Sequence, residues 1–74
     1  MNETRRKLIR EAICELNSCV DDLTNVKDDE DESRENIPEN LQGGDAYSLS
    51  EIASDKIDDA ISDIQQAITT LEEI

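Results

Sequence analysis

Histidine, phenylalanine and tryptophan are absent, and Tyr47 is the single aromatic residue. Without histidine the chain lacks the usual general base near neutral pH, the commonest zinc ligand and every Ser-His triad. With one aromatic ring there is little bulk for an independent interior. Two cysteines, Cys14 and Cys19, are too few for a disulfide framework. Five residues apart on a helix they diverge by about 140°, so they cannot bridge within one chain. They read as reduced thiols packed as small apolar groups in a cytosolic protein, with an intermolecular bridge at a dimer seam as the alternative. No apolar run approaches membrane-spanning length, and no signal-peptide core is present. The expected location is the cytoplasm of a bacterial cell.

Cations are also scarce. Seven stand against twenty acidic residues, for a formal charge of −13. Four of the seven are Arg5, Arg6, Lys7 and Arg10, so residues 11–74 hold three cations against nineteen anions. Such a surface repels nucleic acid and anionic membranes and attracts basic partners.

What is present is helical periodicity, broken once. Ile9, Ile13, Leu16, Val20 and Leu23 step by four, three, four and three, the spacing of a coiled-coil seam. Leu8, Ala12, Cys19 and Val26 widen it into the stripe of a bundle helix. Past Val26 the seam turns polar (Lys27, Glu30, Arg34) inside the run Asp28–Glu32, which predicts looser packing and fraying there. Asn36-Ile37-Pro38-Glu39-Asn40-Leu41-Gln42 then ends the pattern, because Pro38 lacks an N–H and disfavours a helical Ile37. Gly43 and Gly44 follow, and glycine supplies positive φ readily. Ser48-Leu49-Ser50-Glu51 fits a capping box, and Ala53, Ile57, Ala60, Ile64, Ala67, Leu71 and Ile74 resume the alternation of four and three, with Ile61 and Ile68 beside the alanines. Mirroring the chain about residue 40 pairs Leu23 with Ile57, Leu16 with Ile64 and Ile9 with Leu71. It also brings the four cations beside Glu72, Glu73 and the C-terminal carboxylate.

The predicted fold is all-α. It is an antiparallel, coiled-coil-like two-helix hairpin over residues 1–74, with helix 1 at about 3–35, a turn at 36–47 and helix 2 at about 48–73. A hairpin this small buries too little to stand alone, so two copies are expected to form a four-helix bundle; the alternative is a marginal monomer that folds on a partner.

Two carboxylate patterns carry little chemistry. Asp28, Glu30, Glu32 and Glu39 fall on a calcium-loop template, but Ser33 occupies the position that needs glycine. Glu32-x-x-Glu35 with Asp55-x-x-Asp58 is similar to the magnesium carboxylates of all-helical nucleotide pyrophosphohydrolases, yet the mirrored hairpin sets Glu35 opposite Asp45. No catalytic residue, metal site or cofactor is expected. The recognition surface predicted instead is the hairpin tip, Asn36, Pro38, Glu39, Asn40, Gln42 and Tyr47, in company with the acidic residues Asp28, Asp29, Asp31, Asp58, Asp59 and Asp63.

The heptapeptide 36–42, its acidic leading helix and the Ile-Ala layers behind it resemble small acidic hairpin proteins encoded by phages and prophages. The resemblance spans nearly the whole chain and implies a genomic setting without an activity. The function it joins to the charge argument is that of an accessory protein, docking on and inhibiting a host or phage protein, for instance a basic, nucleic-acid-binding one, without touching nucleic acid or membrane itself. The alternatives are a binder or sponge for a nucleotide signal, using Arg5, Arg6, Arg10 or Arg34 with Tyr47, and a purely structural oligomerisation element.

Overall fold

The computed structural model describes residues 1–74. Helix α1 spans Glu3–Glu35, a short 3-10 turn Glu39–Leu41 follows, and helix α2 spans Asp45–Glu72. The two helices lie against each other as a hairpin with extents of 60 × 15 × 12 Å. Its radius of gyration is 17.3 Å, against about 11 Å for a compact domain of this length. Neither helix is long and apolar enough to cross a membrane.

Asn2 opens α1 in extended geometry, and its Oδ1 accepts the Arg5 N–H at 2.8 Å. That satisfies one of the free N–H groups at the helix start. The acidic run stays helical throughout. Its like charges are eased because Lys27 and Arg34 flank Asp31 at i−4 and i+3, while Asp28, Asp29 and Glu32 point into solvent.

The corner differs in detail from the sequence expectation. Pro38 is extended, at φ −55° and ψ 144°, and its carbonyl accepts from the Leu41 N–H at 2.8 Å to start the 3-10 turn. No glycine takes positive φ. Gly44 serves instead as the N-cap of α2, and a Cβ there would meet the Leu41 carbonyl oxygen at 3.2 Å. Helix α2 therefore starts at Asp45, the earlier of the two starts the sequence allows and one turn ahead of the Ser48 capping box, and Ser48 already donates its N–H to the Gly44 carbonyl. An acidic Asp45 suits the positive end of the helix macrodipole. At the corner Ile37 and Tyr47 are half-buried, while Leu41 and Leu49 are exposed.

Only Ser54, Ile61 and Ile68 are buried. They recur every seven residues and mark the centre of the α2 contact face, flanked by half-buried Ile57, Ile64 and Leu71. The predicted seam through Ala53, Ala60 and Ala67 is thus displaced to one edge, with Ala67 exposed. Rolling the isoleucines inward removes more apolar surface from water than burying alanines does. The register shifts as well. Asp31 and Ser54, two short side chains, meet at 2.6 Å, a pair that sums to 85 where the mirror about residue 40 requires 80. Arg34 accordingly faces Ser50 and Ser54, whereas the mirror set it opposite Ala46. Cys14 and Cys19 are free thiols on the surface, not packed groups. At the open end Arg6 donates to the Ile74 main-chain oxygen at 2.8 Å, while Arg10 turns back to Glu3 on its own helix.

Replacing Ile68 by alanine is expected to cost about 2–4 kcal/mol, whereas Ile52→Ala, at an exposed position, stays within about 0.5 kcal/mol. Gly43→Ala, with open space around the added Cβ and no positive φ to oppose it, should stabilise by about 0.4–1 kcal/mol, and Gly44→Ala should destabilise. Thermal melts followed by circular dichroism rank the four variants.

Candidate functional site

Helix α1 carries its polar seam residues into the half of the hairpin nearest the turn, where α2 answers with serines. Asp31 is the hub. Its Oδ2 accepts from Lys27 Nζ at 3.0 Å, and its Oδ1 accepts from Arg34 Nη2 at 2.8 Å and from the Ser54 hydroxyl at 2.6 Å. Arg34 Nη1 donates onward to Ser54 Oγ at 2.9 Å and to the Ser50 carbonyl at 3.2 Å. No buried side-chain polar atom is left without a partner.

These contacts reset the charges. The hydrogen bond from Ser54, then those from Lys27 and Arg34, lower the Asp31 pKa from its ordinary value to about 2. The Asp31 carboxylate in turn raises Lys27, chiefly by hydrogen bonding and then by its charge, and raises Arg34 by its hydrogen bond. A serine hydroxyl bonded to a carboxylate has the outline of a nucleophile and its base. Here Asp31 is far too acidic to take a proton near neutral pH, and Ser54 is only 4% exposed. The arrangement acts as a polar clamp between helices.

Asp31, counted among the acidic surface residues on sequence grounds, is therefore half-buried at the seam between the helices. Asp28, Asp29, Asp58, Asp59 and Asp63 do lie on the surface, and none of them enters an ion pair. The expected looseness near the turn is replaced by the most densely bonded part of the molecule. Its missed signal was Ser54, which falls one heptad before Ile61 and two before Ile68. Tracing the α2 seam through the isoleucines, not the alanines, sets a serine against the polar end of α1.

At the tip, Asn36, Pro38, Glu39 and Asn40 are exposed. Gln42 is half-buried, and its Nε2 donates to the Ile37 carbonyl at 3.2 Å, closing the corner. Asn36 ends α1 through its own N–H, bonded to the Glu32 carbonyl at 3.2 Å, and does not cap the next turn. Tyr47, half-buried at the start of α2, completes this end. The tip thus offers one acid and two amides on a braced loop. No group of three or more acidic or cysteine side chains converges as a metal-binding cluster, and the continuous helix over Asp28–Glu35 leaves the calcium-loop template no loop.

Because the Asp31 pKa is depressed, the stability it contributes is complete above about pH 4 and is lost as pH falls through about 2. Melting temperatures of the natural protein and Asp31→Asn should differ by a constant amount above about pH 5 and converge between about pH 4 and 2. The other nineteen carboxylates titrate in both proteins and drop out of the difference. A gap that persists undiminished at pH 2 would contradict the clamp. Compared with protein-family models, curated proteins and solved structures, the chain matches none.

Proposed function

We infer that this chain acts by binding and not by catalysis: it pairs with itself as a four-helix bundle and docks on a basic protein surface through its acidic faces and tip. The observation that carries the docking is the set of five exposed aspartates, Asp28 and Asp29 on α1 and Asp58, Asp59 and Asp63 on α2, none in an ion pair within the hairpin. Unpaired carboxylates on a rigid rod speed encounter with a cationic partner and lose that advantage in salt. A nucleic-acid-binding surface is the natural complement, since its cations are arrayed to meet spaced negative charges. The turn's resemblance to phage and prophage hairpins fits an accessory inhibitor working in a bacterial cytoplasm.

Self-pairing draws its support from surface area. The hairpin exposes 5570 Å², against about 4,600 Å² for a compact monomer of 8.3 kDa. The excess is close to the roughly 800 Å² that each partner hides in a standard interface. No observation favours the nucleotide-sponge alternative. Arg34 is held inside by Asp31 and the two serines, and within one hairpin Tyr47 and the Arg5–Arg10 block sit at opposite ends of a 60 Å rod.

Light scattering is expected to give about twice the 8.3 kDa chain mass. In bacterial lysate, immobilised protein should retain nucleic-acid-binding proteins that added duplex DNA displaces. The triple variant Asp58→Asn/Asp59→Asn/Asp63→Asn should bind them about tenfold more weakly, at roughly 0.5 kcal/mol per lost exposed charge pair. Retention indifferent to both DNA and the triple variant would rule out docking by charge. A variant with residues 36–42 replaced by a plain turn measures the share of the tip.

A further inference from the structure

Four charged side chains are half-buried at the contact between the helices: Lys27, Glu30, Asp31 and Arg34. Three of them close on one another through Asp31. Glu30 is left over. It enters no ion pair, and the carboxylates that accept hydrogen bonds are those of Glu3 and Asp31 alone. Its oxygens keep access to water, since no fully buried polar atom goes unpartnered. A carboxylate partly withdrawn from solvent and met by no donor sits in a costly environment that an added cation relieves.

Glu30 opens into a groove of about 330 Å³. Val26, Asp29, Glu30 and Ser33 recur at i, i+3, i+4 and i+7 and form its α1 wall, while Ala53 and Ile57 form its α2 wall. Apolar surface from Val26, Ala53 and Ile57 therefore lies beside two carboxylates. The space is near the lower end of the roughly 300–1,000 Å³ that small-molecule sites occupy, which suits one long side chain and no bulky ligand. Lys56 comes level with Asp29 in the register set by Asp31 and Ser54, but it enters no ion pair and does not line the groove. The hairpin's other groove, at the open end, has its two arginines already engaged: Arg10 pairs with Glu3, and Arg6 donates to the Ile74 main-chain oxygen.

We propose that the groove around Glu30 seats one arginine side chain of the basic protein on which the hairpin docks. Arginine matches both parts of the wall. Its methylene stem covers Val26, Ala53 and Ile57, and its guanidinium forks onto the carboxylates of Glu30 and Asp29. Lysine matches less well, because its compact ammonium is more strongly hydrated and cannot make the fork. This seat rests on the charge-driven docking put forward above and adds an anchoring contact to it. The exposed aspartates steer the encounter; the groove holds what arrives.

Hexaarginine and hexalysine, titrated separately into methyl-labelled protein, test the seat. The two peptides carry equal charge, so steering alone treats them alike. Hexaarginine is expected to bind more tightly than hexalysine and to shift the methyl resonances of Val26, Ala53 and Ile57. Those of Leu71, in the cleft beside Arg6 and Arg10, should stay in place. Glu30→Gln should weaken hexaarginine binding about tenfold, and the exposed Asp63→Asn only about twofold. Because Glu30 bonds to nothing within the hairpin, Glu30→Gln should melt no lower than the natural protein. Val26→Ser, at a position 53% exposed, is a second variant and should weaken hexaarginine without affecting hexalysine. Hexaarginine binding that moves no groove methyl, or a Glu30→Gln effect as mild as that of Asp63→Asn, would overturn the seat and leave charge-driven docking standing. Failure of both peptides to bind, even at low salt, would remove the docking itself. A dimer that Glu30→Gln dissociates, by light scattering, would assign the groove to a second copy and overturn the arginine seat.

Discussion

A carboxylate held between two cations and a serine is what allows the long α1 to stay paired with α2 to its end. The seam of α1 is apolar only as far as Leu23; beyond it, Lys27, Glu30 and Arg34 occupy contact positions. Charged groups facing a second helix are costly unless they meet partners. For Lys27 and Arg34 the partner is Asp31, which draws both into one bonded cluster and reaches across to Ser54. Because an unpaired group in this cluster would be left partly desolvated, its geometry holds one alignment and disfavours its neighbours. The clamp fixes register, which isoleucine and leucine contacts at repeated spacing specify only weakly.

The rest of the hairpin follows from that alignment. With Ser54 drawn inward, Ile61 and Ile68 follow at intervals of seven and become the only buried apolar side chains. The alanines roll to one edge, together with Cys19 and Val26. Polar side chains such as Asp31 and Asp58 fall on the opposite edge.

The corner serves the same end by a different route than its composition implies. Pro38 stops α1, and the 3-10 turn hands the chain directly to Gly44. Glycine matters there because the Leu41 carbonyl approaches closely, not because the backbone turns left-handed. Gln42 ties the loop to Ile37, leaving Glu39 and Asn40 to face solvent on a fixed support.

Sequence periodicity alone determined that two helices form, that Asn2 caps the first and that a break near Pro38 sends the chain back antiparallel. These are local matters, set by the spacing of apolar residues and by a missing N–H. The tertiary structure decided which stripe of α2 faces inward, by how many residues the helices slide and that Asp31 joins the contact between them. Alanine and isoleucine lines both satisfy a repeat of four and three, so the pattern does not choose between them. The choice falls to contacts between distant residues, above all Asp31 with Ser54, whose energy depends on a geometry that exists only once the helices have met.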